Sequence, residues 1–284
     1  MPELPEVETT VRDLRRLIVG RVIAKPGLSF ADWPKMLITH PPEVMSQLLG
    51  SEEVLAINRR AKYVLVELGH AKFLVFHRKM TGNLFWREHD APPDRYTHVI
   101  IPFVDGSELR FADLRKFGRV YLFLSREEMN QHLAKLGPEP LEDAFTEEIF
   151  HQIMTGRKGR LKPLLLNQAL VVGLGNIYVN EALFVSGLHP ERRAETLSRD
   201  DQNRLYQAIR MVLNKAVDNR GTTLSDYMDG EGQKGGNQEH LFVHFRQGEP
   251  CGNCGTTIIK TTVGQRGTYL CPQCQPEFKE QGLT

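Results

Sequence analysis

The start of the chain could supply a nucleophile. The sequence begins Met-Pro-Glu, and removal of Met1 would leave Pro2 with a free secondary amine. An α-amine has an ordinary pKa near ~8, against ~10.4 for lysine, so more of it is uncharged near neutral pH. A helix starting at this point would lower that pKa further, and Glu3 and Glu6 could transfer protons. The same residues also make a favourable helix start, so this segment by itself leaves both interpretations open.

Two cysteine pairs near the C-terminus have the spacing of a metal site. They are Cys251-x-x-Cys254 and Cys271-x-x-Cys274. Each pair can hold one side of a tetrahedral zinc ion, and the residues between the pairs predict a hairpin that turns at Gly264 and Gln265. Four thiolates would leave no open coordination position. We therefore expect one structural Zn²⁺ ion, with Arg266 at the exposed tip of the hairpin.

A glycine-containing turn, Gly173-Leu174-Gly175, precedes Asn176 between two helical stretches. Glycine lets the backbone approach another group closely, and the helix that follows presents free N–H groups suited to a phosphate. The same sequence is also typical of an ordinary connection between helices.

Basic residues lie in three clusters although the net charge is only +1. The clusters are Arg59, Arg60 and Lys62; Arg115, Lys116 and Arg119; and Arg157, Lys158, Arg160 and Lys162. A nucleic-acid-binding protein of this charge must concentrate its basic residues on one face. Each cluster taken alone is also typical of a solvated surface.

The elements that must position these residues change character along the chain. Residues 3–18 have apolar side chains at helical spacing, and about 21–124 contain short β-rich runs separated by turn residues, which predicts a helix followed by a β-sandwich. The β-rich runs are RVIAK, EEVLAI, KYVLVEL, KFLVFH, THVIIPFV, SELRFA and RVYLFL.

Beyond residue 135 the pattern becomes helical. The segment 136–143 is rich in proline and acid, which predicts a linker. Helices are predicted over 145–154, about 160–170, 176–187 and 198–217. The polar, glycine-rich stretch 221–239 predicts a long loop, and loops of this length are usually functional or disordered.

Composition indicates a protein without a membrane segment. Hydrophobic residues make up 40% and charged residues 25% of the chain, and both values are ordinary for globular proteins. No stretch approaches about 18 uninterrupted apolar residues, and the N-terminus lacks the apolar core of a signal peptide. We therefore expect a cytoplasmic protein that has no membrane partner.

Several motifs occur together and in a fixed order. They are PELPEVET at the start, DLRKFGR at 113–119, GLGNIYVNEALF at 173–184, GEPC at 248–251 and the four-cysteine ribbon. In this combination the whole chain resembles the formamidopyrimidine-DNA glycosylase family, which is related to endonuclease VIII.

The resemblance implies an α+β fold. An N-terminal helix and β-sandwich would occupy residues 1–135, and a linker would follow at 136–143. A helix-two-turn-helix domain at 144–240 would include a loop, at 221–239, that caps the damaged base. A zinc-ribbon module would complete the chain at 241–284.

The resemblance also implies a bifunctional glycosylase and abasic-site lyase that excises oxidised purines, namely 8-oxoguanine and formamidopyrimidines. Pro2 would attack C1′ of the damaged nucleotide and expel the base, and β- then δ-elimination from the imine would cut the strand. Glu3 matches the family's acid, which protonates the sugar ring oxygen, and Lys62 matches the lysine that contacts the phosphate beside the lesion.

Further residues match DNA contacts of the family. Met80, Arg115 and Phe117 match the side chains that fill the space left by the extruded base. Asn176 and Arg266 match residues that clamp the phosphates, and His77 matches a histidine near the DNA backbone. We also assign Lys162, in the third basic cluster, to DNA binding.

A few positions depart from the family pattern. The chain has Asn167 and Asn180 where the family often has an acid, so local hydrogen bonding is expected to differ. Thr81 follows Met80 at a variable position that can touch the damaged base.

Three functions remain open on the sequence. The first is the oxidised-purine enzyme, a bacterial, nucleoid-associated monomer acting on duplex DNA with oxidised bases or abasic sites. The second is an oxidised-pyrimidine glycosylase of the endonuclease VIII type, and the third is a non-catalytic DNA-binding protein on the same scaffold. The PELPE start and the pair Arg115 and Phe117 favour the first, and intact Pro2, Glu3 and Lys62 argue against the third.

Overall fold

The chain folds into two units. The computed structural model describes residues 2–30 and 34–277. One unit combines Met1–Lys135 with Val217–Gln238, and the other combines Leu136–Ala216 with Glu239–Thr284.

Helix α1 (Leu4–Ile18) opens the first unit and confirms the helix predicted over residues 3–18. Its apolar side chains at Val7, Val11, Leu14 and Ile18 are completely buried in the core. Gly20 follows with a φ of 83°, a left-handed conformation open to glycine at no steric cost, so the chain turns away there.

Antiparallel strands form a pair of four-stranded sheets in the first unit. They are β1 (Ser29–Phe30), β2 (Val54–Arg60), β3 (Tyr63–Leu68), β4 (Phe73–His77), β5 (Gly82–Arg87), β6 (Thr97–Pro102), β7 (Glu108–Asp113) and β8 (Arg119–Phe123). The sheet orders are β2-β3-β4-β8 and β1-β6-β7-β5. Both sheets and α1 share one hydrophobic core, in which the ring centroids of Phe76 and Phe111 are 5.6 Å apart. The predicted β-sandwich is confirmed.

The strand predictions differ from the structure in three places, of which the two-residue strand β1 is the smallest. The run RVIAK at 21–25 makes only single-residue bridges, Val22 with Glu53 and Ile23 with Phe103. The chain also contains β5, which was not predicted because it opens with glycine and asparagine, residues that are depleted in strands.

Two short helices were also missed, α2 (Pro42–Leu49) and α3 (Arg126–Leu133). Each has eight residues and buries only two side chains. A stretch this short gives too few repeats of the helical period to be recognised among strands.

The second unit contains the helices α4 (Glu147–Met154), α5 (Leu161–Leu165), α6 (Asn176–Val185) and α7 (Arg199–Asp218), of which the last ends in the first unit, and the strands β9 (Ile259–Val263) and β10 (Arg266–Leu270). The predicted helices are confirmed, but α5 is shorter than expected. The Asn167 side chain accepts the amide of Ala169 at 3.0 Å, and this local turn replaces a further helical turn.

The 217–238 segment packs within the first unit, although in sequence it follows the helices of the second unit. Residues 221–236 form turns and bends without a helix or strand, as the predicted loop requires. Within the described ranges, every helix is too short or too polar to span a lipid bilayer.

The Phe111 ring lies against Gly82 and Gly118, which adjoin the turns that carry Met80 and Phe117. A Cβ atom at Gly82 would lie 2.9 Å, and one at Gly118 2.4 Å, from atoms of its ring. We expect Phe111→Ala to lower the free energy of unfolding by ~3–5 kcal/mol, because it leaves a cavity between the sheets. Urea denaturation measures the change. Phe245→Ala, which removes an exposed ring, is the control and should cost under about 1 kcal/mol.

Candidate functional site

The start of α1 is a buried polar centre. Pro2 and Glu3 are both buried, and Glu3 and Glu6 form a capping box. The Glu6 carboxylate accepts the Glu3 amide at 2.8 Å and the Thr222 amide at 2.7 Å. Glu6 therefore fixes the backbone beside Pro2 and joins it to the 217–238 segment. Met1, whose removal would free the amine, lies outside the described residues.

The turn between β2 and β3 carries Lys62 and is tied to α1. Arg59 donates to the carbonyl of Ala61 at 3.1 Å and to the carboxylate of Glu8, on α1, at 2.9 Å. Burial would raise the pKa of Glu8, but the Arg59 guanidinium outweighs it and holds that pKa below its ordinary value. Lys62 itself is buried. The turn that carries it is thus anchored to the helix that carries Pro2.

His77, at the end of β4, is a neutral donor. Burial, reinforced by the positive charges of Lys79 and Lys62, lowers its pKa to about 3. The Lys79 amide donates to Nδ1 at 3.0 Å, so the proton of the neutral ring lies on Nε2. The edge of the ring faces Tyr63, with centroids 4.5 Å apart. His77 can therefore offer a hydrogen bond to an anion but not a charge.

Met80, Arg115 and Phe117 project from two turns of the first unit and are exposed. Met80 is 37% and Phe117 46% exposed, large fractions for apolar side chains. The Arg115 guanidinium lies over the Phe117 ring at 4.7 Å. These side chains are available to contact another molecule.

Asp113 holds those two turns in place, and the sequence interpretation missed it. Its buried carboxylate accepts the amides of Gly118 at 2.7 Å and Arg115 at 3.2 Å, together with the Thr81 hydroxyl. The Thr81 hydroxyl is committed to Asp113 and the residue is buried, and its contact with a damaged base stays a prediction. The position of Asp113 at the start of DLRKFGR was the signal that could have found it.

Four candidate residues directly follow a non-glycine residue in the left-handed region. The pairs are Ala61 before Lys62, Lys79 before Met80, Lys116 before Phe117 and Gln265 before Arg266, with φ between 51° and 61°. This conformation is uncommon outside glycine and reverses the chain within one or two residues. The sequence revealed only the last of these turns, at Gly264 and Gln265, because the residues of the other three are not those that usually adopt this conformation.

In the second unit the carbonyl of Gly267 joins two candidate elements. It accepts the Asn176 amide group at 3.0 Å, from the first turn of α6, and the Lys162 ammonium at 2.9 Å, from α5. Gly267 follows Arg266, which is exposed on the hairpin. The structure thus brings Asn176 and Arg266 to one place.

Lys162 is not placed as a direct DNA contact, contrary to its assignment from the sequence. Its side chain is completely buried. The ammonium also donates to Asn180 at 2.8 Å and to the Thr268 hydroxyl at 2.8 Å, so its three protons have internal acceptors. A lysine in this environment positions the hairpin rather than neutralising a phosphate.

Asn180 links Lys162 to His244 through a neutral side chain. Besides accepting from Lys162, its amide lies 2.8 Å from Nδ1 of His244. Burial, with the nearby Lys162 charge, lowers the pKa of His244 to about 3, so its ring is neutral. Asn180 therefore links the buried ammonium to a neutral ring, and the expected difference from the family in local hydrogen bonding stays a prediction.

The four cysteines meet at one point. Their Sγ atoms lie within 4.8 Å of one another, with 3.8 Å between Cys251 and Cys274 and 3.5 Å between Cys254 and Cys271. A tetrahedral zinc with bonds of about 2.3 Å separates its sulfurs by about 3.8 Å, so the cluster fits one Zn²⁺ ion. The hairpin turns at Gly264 and Gln265, as predicted.

Glu181 anchors the ribbon to α6 and was also missed. Its buried carboxylate accepts the amides of Phe242, Val243 and His244 at 2.6, 3.0 and 2.8 Å. Burial raises the pKa of Glu181 despite these donors. The turns that lead to the first cysteine pair are thereby fixed to α6.

The half-buried His77 should make stability depend on pH. Its folded pKa of about 3 is below the ordinary 6.5, so the unfolded state binds the proton more readily. The contribution of His77 is complete above ~6.5 and is lost as the pH falls toward 3. We expect His77→Asn to reduce the loss of unfolding free energy between about pH 7 and 5, measured by urea denaturation. His89→Asn, which alters an exposed ring, should leave it unchanged.

Elemental analysis should find one zinc per chain. Because folding of small metal modules depends on the metal, we expect Cys254→Ser to displace the hairpin bearing Arg266 and to weaken duplex binding. Thr262→Ser, on the exposed strand of the same hairpin, should change neither zinc content nor binding. Fully active protein with much less than one zinc would contradict this role.

Comparisons with known proteins match nearly all of the chain. The formamidopyrimidine-DNA glycosylase N-terminal domain matches residues 1–120, the H2TH domain of the same enzyme matches 136–228, and the zinc finger found in FPG and IleRS matches 248–276. The match to this zinc finger and the geometry of the four thiols agree on one structural zinc.

Relatives and solved structures agree with these matches. Formamidopyrimidine-DNA glycosylase of Herpetosiphon aurantiacus is 43% identical over 97% of this chain and 100% of its own, and that of Bacillus cereus is 42% identical over 98% and 100%. The Lactococcus lactis Fpg in complex with abasic-site DNA superposes with a TM-score of 0.90, at 35% identity over 97% of this chain and 100% of that chain. A variant of the same protein with Fapy-dG-containing DNA gives the same TM-score, identity and coverage. This chain belongs to the formamidopyrimidine-DNA glycosylase family.

Proposed function

We propose that this chain excises oxidised purines, 8-oxoguanine and formamidopyrimidines, from duplex DNA and then cleaves the strand, with Pro2 as nucleophile. Family membership makes it a DNA glycosylase with abasic-site lyase activity. The observation that carries the assignment of the nucleophile is the burial of Pro2 and Glu3 side by side at the start of α1, where Glu6 fixes their backbone.

The chemistry follows from a secondary amine held beside a carboxyl group. The Pro2 nitrogen attacks C1′, and the C1′–N bond to the base breaks, so that the base leaves with the electron pair and takes up a proton. Pro2 loses its own proton, Glu3 protonates the sugar ring oxygen, and the C1′–O4′ bond breaks to open the sugar and leave an iminium between Pro2 and C1′. The resulting iminium makes the C2′ hydrogen acidic; a base removes it and the 3′ C–O bond breaks. A second elimination breaks the 5′ C–O bond, and water releases the sugar remnant from Pro2.

The exposed side chains of the first unit suit base extrusion. A bulky amine cannot attack the sugar atom C1′ while the nucleotide is stacked in the duplex. Extruding the nucleotide costs a few kcal/mol. Met80 replaces part of the lost stacking, Phe117 wedges the neighbouring step, and Arg115 hydrogen-bonds the unpaired partner base. The Asp113 carboxylate fixes the turns that carry them.

We assign contacts with the DNA backbone to Lys62 and His77 in one unit and to Asn176 and Arg266 in the other. His77 donates from neutral Nε2–H, and the remaining residues offer a charge or an amide. Lys162 acts through the Gly267 carbonyl, which it shares with Asn176.

The sequence-derived organisation is retained as part of the proposal. Residues 1–135 form the catalytic domain, 136–143 the linker, 144–240 the helical domain with the capping loop, and 241–284 the zinc ribbon. We further propose that the protein is a monomer in the bacterial cytoplasm, associated with the nucleoid.

Borohydride trapping tests the nucleophile. We expect a covalent adduct on Pro2 with duplexes that carry 8-oxoguanine, and a much weaker one with thymine glycol. Pro2→Gly, or a chain that retains Met1, should abolish excision and leave duplex binding intact. Mass spectrometry of the adduct identifies the attached residue; an adduct on Lys62 with unmodified Pro2 would rule out this mechanism, and preferential trapping on thymine glycol would indicate the pyrimidine-specific enzyme.

Binding to lesion DNA should weaken steeply with salt although the net charge is +1. Each neutralised phosphate adds about −0.9 to the slope of log K against log salt concentration, so Arg266→Ala should reduce the slope by about one. Arg193→Ala, which removes an exposed arginine paired with Glu195, is the matched control in the same unit. An unchanged slope in Arg266→Ala would exclude the phosphate contact.

A further inference from the structure

Arg78 is a buried cation to which the function proposed above gives no role. It is 1% exposed, and the negative charges of Glu6 and Asp229 act on it from nearby. Its guanidinium donates to five acceptors: Gly82 O at 2.7 Å, Thr10 Oγ1 at 2.7 Å, Glu6 O at 3.3 Å, Asn83 Oδ1 at 2.5 Å and Met228 O at 3.1 Å. Burial lowers the pKa of Arg78 to about 10, which still leaves it charged at neutral pH.

These acceptors belong to three separate pieces of the first unit. Glu6 and Thr10 lie on α1, the helix that begins beside Pro2. Gly82 lies just beyond Met80, and its amide donates back to the Arg78 carbonyl at 3.0 Å, so the turn that presents Met80 is closed by both groups. Met228 lies in the 217–238 segment. One side chain therefore joins the catalytic helix, the Met80 turn and that segment.

Asn83 supports the same connection to the segment. Its amide group donates to the Asp226 carbonyl at 2.9 Å, and its oxygen accepts the Met228 amide at 3.1 Å. Between them the Tyr227 ring covers the Arg78 guanidinium at 5.1 Å. We call Arg78, Asn83 and residues 226–228 the Arg78 latch.

The Arg78 latch forms part of a cavity wall. Asn83, Asp226 and Met228 line a cavity of about 340 Å³, which Thr81 and Tyr96 also border. This volume is in the range of small-molecule sites and can accept one nucleobase. A buried guanidinium is tolerated only when its donors are bonded, and the segment provides one of these bonds.

We propose that Arg78 is a positioning residue for base excision: with Asn83 it holds residues 226–228 in place before DNA binds, as the wall against which an extruded base rests. This inference rests on the function proposed above. Cleavage of an abasic site, where no base remains to be held, does not depend on the latch. The latch thus separates the two activities of the enzyme.

The test uses Arg78→Lys and Asn83→Ala in the full-length zinc-bound protein, with Arg126→Lys, an exposed arginine paired with Glu67, as the matched control. Lysine keeps the charge but cannot bond to all five acceptors. Hydrogen exchange without DNA should quicken about tenfold in peptides covering residues 222–230 and stay unchanged over 199–216, because a charge-assisted bond to the segment is lost. Hydrogen exchange does not require enzymatic activity, so it tests the Arg78 latch even if the proposed function is wrong.

Single-turnover kinetics give the second measurement. Excision of 8-oxoguanine should slow about tenfold in both variants, while cleavage of an abasic-site duplex stays within about twofold of the parent protein. Unchanged exchange over 222–230, or equal losses on the two substrates, would overturn the proposal. If Arg78→Lys does not fold, Asn83→Ala, which retains the buried charge, decides the question by the same two measurements. A parent protein that neither excises nor cleaves would refute the proposed function instead.

Discussion

The first unit depends on helix α1, which buries polar side chains as well as its apolar face. Val7, Val11, Leu14 and Ile18 pack into the sandwich core, as any amphipathic helix would. Polar side chains of the same helix are buried as well: Glu3, Glu6, Thr9, Thr10 and Asp13 are at most 2% exposed. A buried polar group without a partner costs several kcal/mol, so each of these side chains requires a donor or acceptor from elsewhere in the chain.

The hydrogen-bond partners of α1 fix the structure around Pro2. Glu6 takes the Thr222 amide, Thr10 accepts from Arg78, and Asp13 accepts from Arg220 at 2.7 Å and from the Gly230 amide at 3.2 Å. All of these contacts except that of Arg78 come from the 217–238 segment. The glycine-rich 217–238 segment is therefore held against α1 by these hydrogen bonds.

In the second unit, buried polar side chains likewise require hydrogen-bond partners near the zinc ribbon. Glu181 and Lys162 are buried charges that are bonded to backbone groups on either side of the first cysteine pair in sequence. Together they fix the approach to Cys251 and the strand that begins at Arg266. The zinc closes the ribbon, whereas these two charged residues decide where its tip lies relative to Asn176.

Local signals in the sequence were enough for most of the elements and for the family. The period of α1, the alternation of most strands, the Cys-x-x-Cys pairs and the family motifs depend on neighbours in sequence, so they could be read without coordinates. The order β2-β3-β4-β8 and the pairing of β5 with β7 could not, because long-range register has no local signature.

The side chains that hold the site together were decided by the tertiary structure. Asp113 accepts amides two and five residues away, yet its link to Thr81 spans 32 positions. Arg78 finds its acceptors 4 to 150 positions away, and Lys162 is buried against residues 105 and 106 positions ahead. A charged residue in the sequence reads as a surface contact by default. Only the packed chain shows whether water or a buried acceptor receives its hydrogen bonds, because that choice depends on what the rest of the fold brings against it.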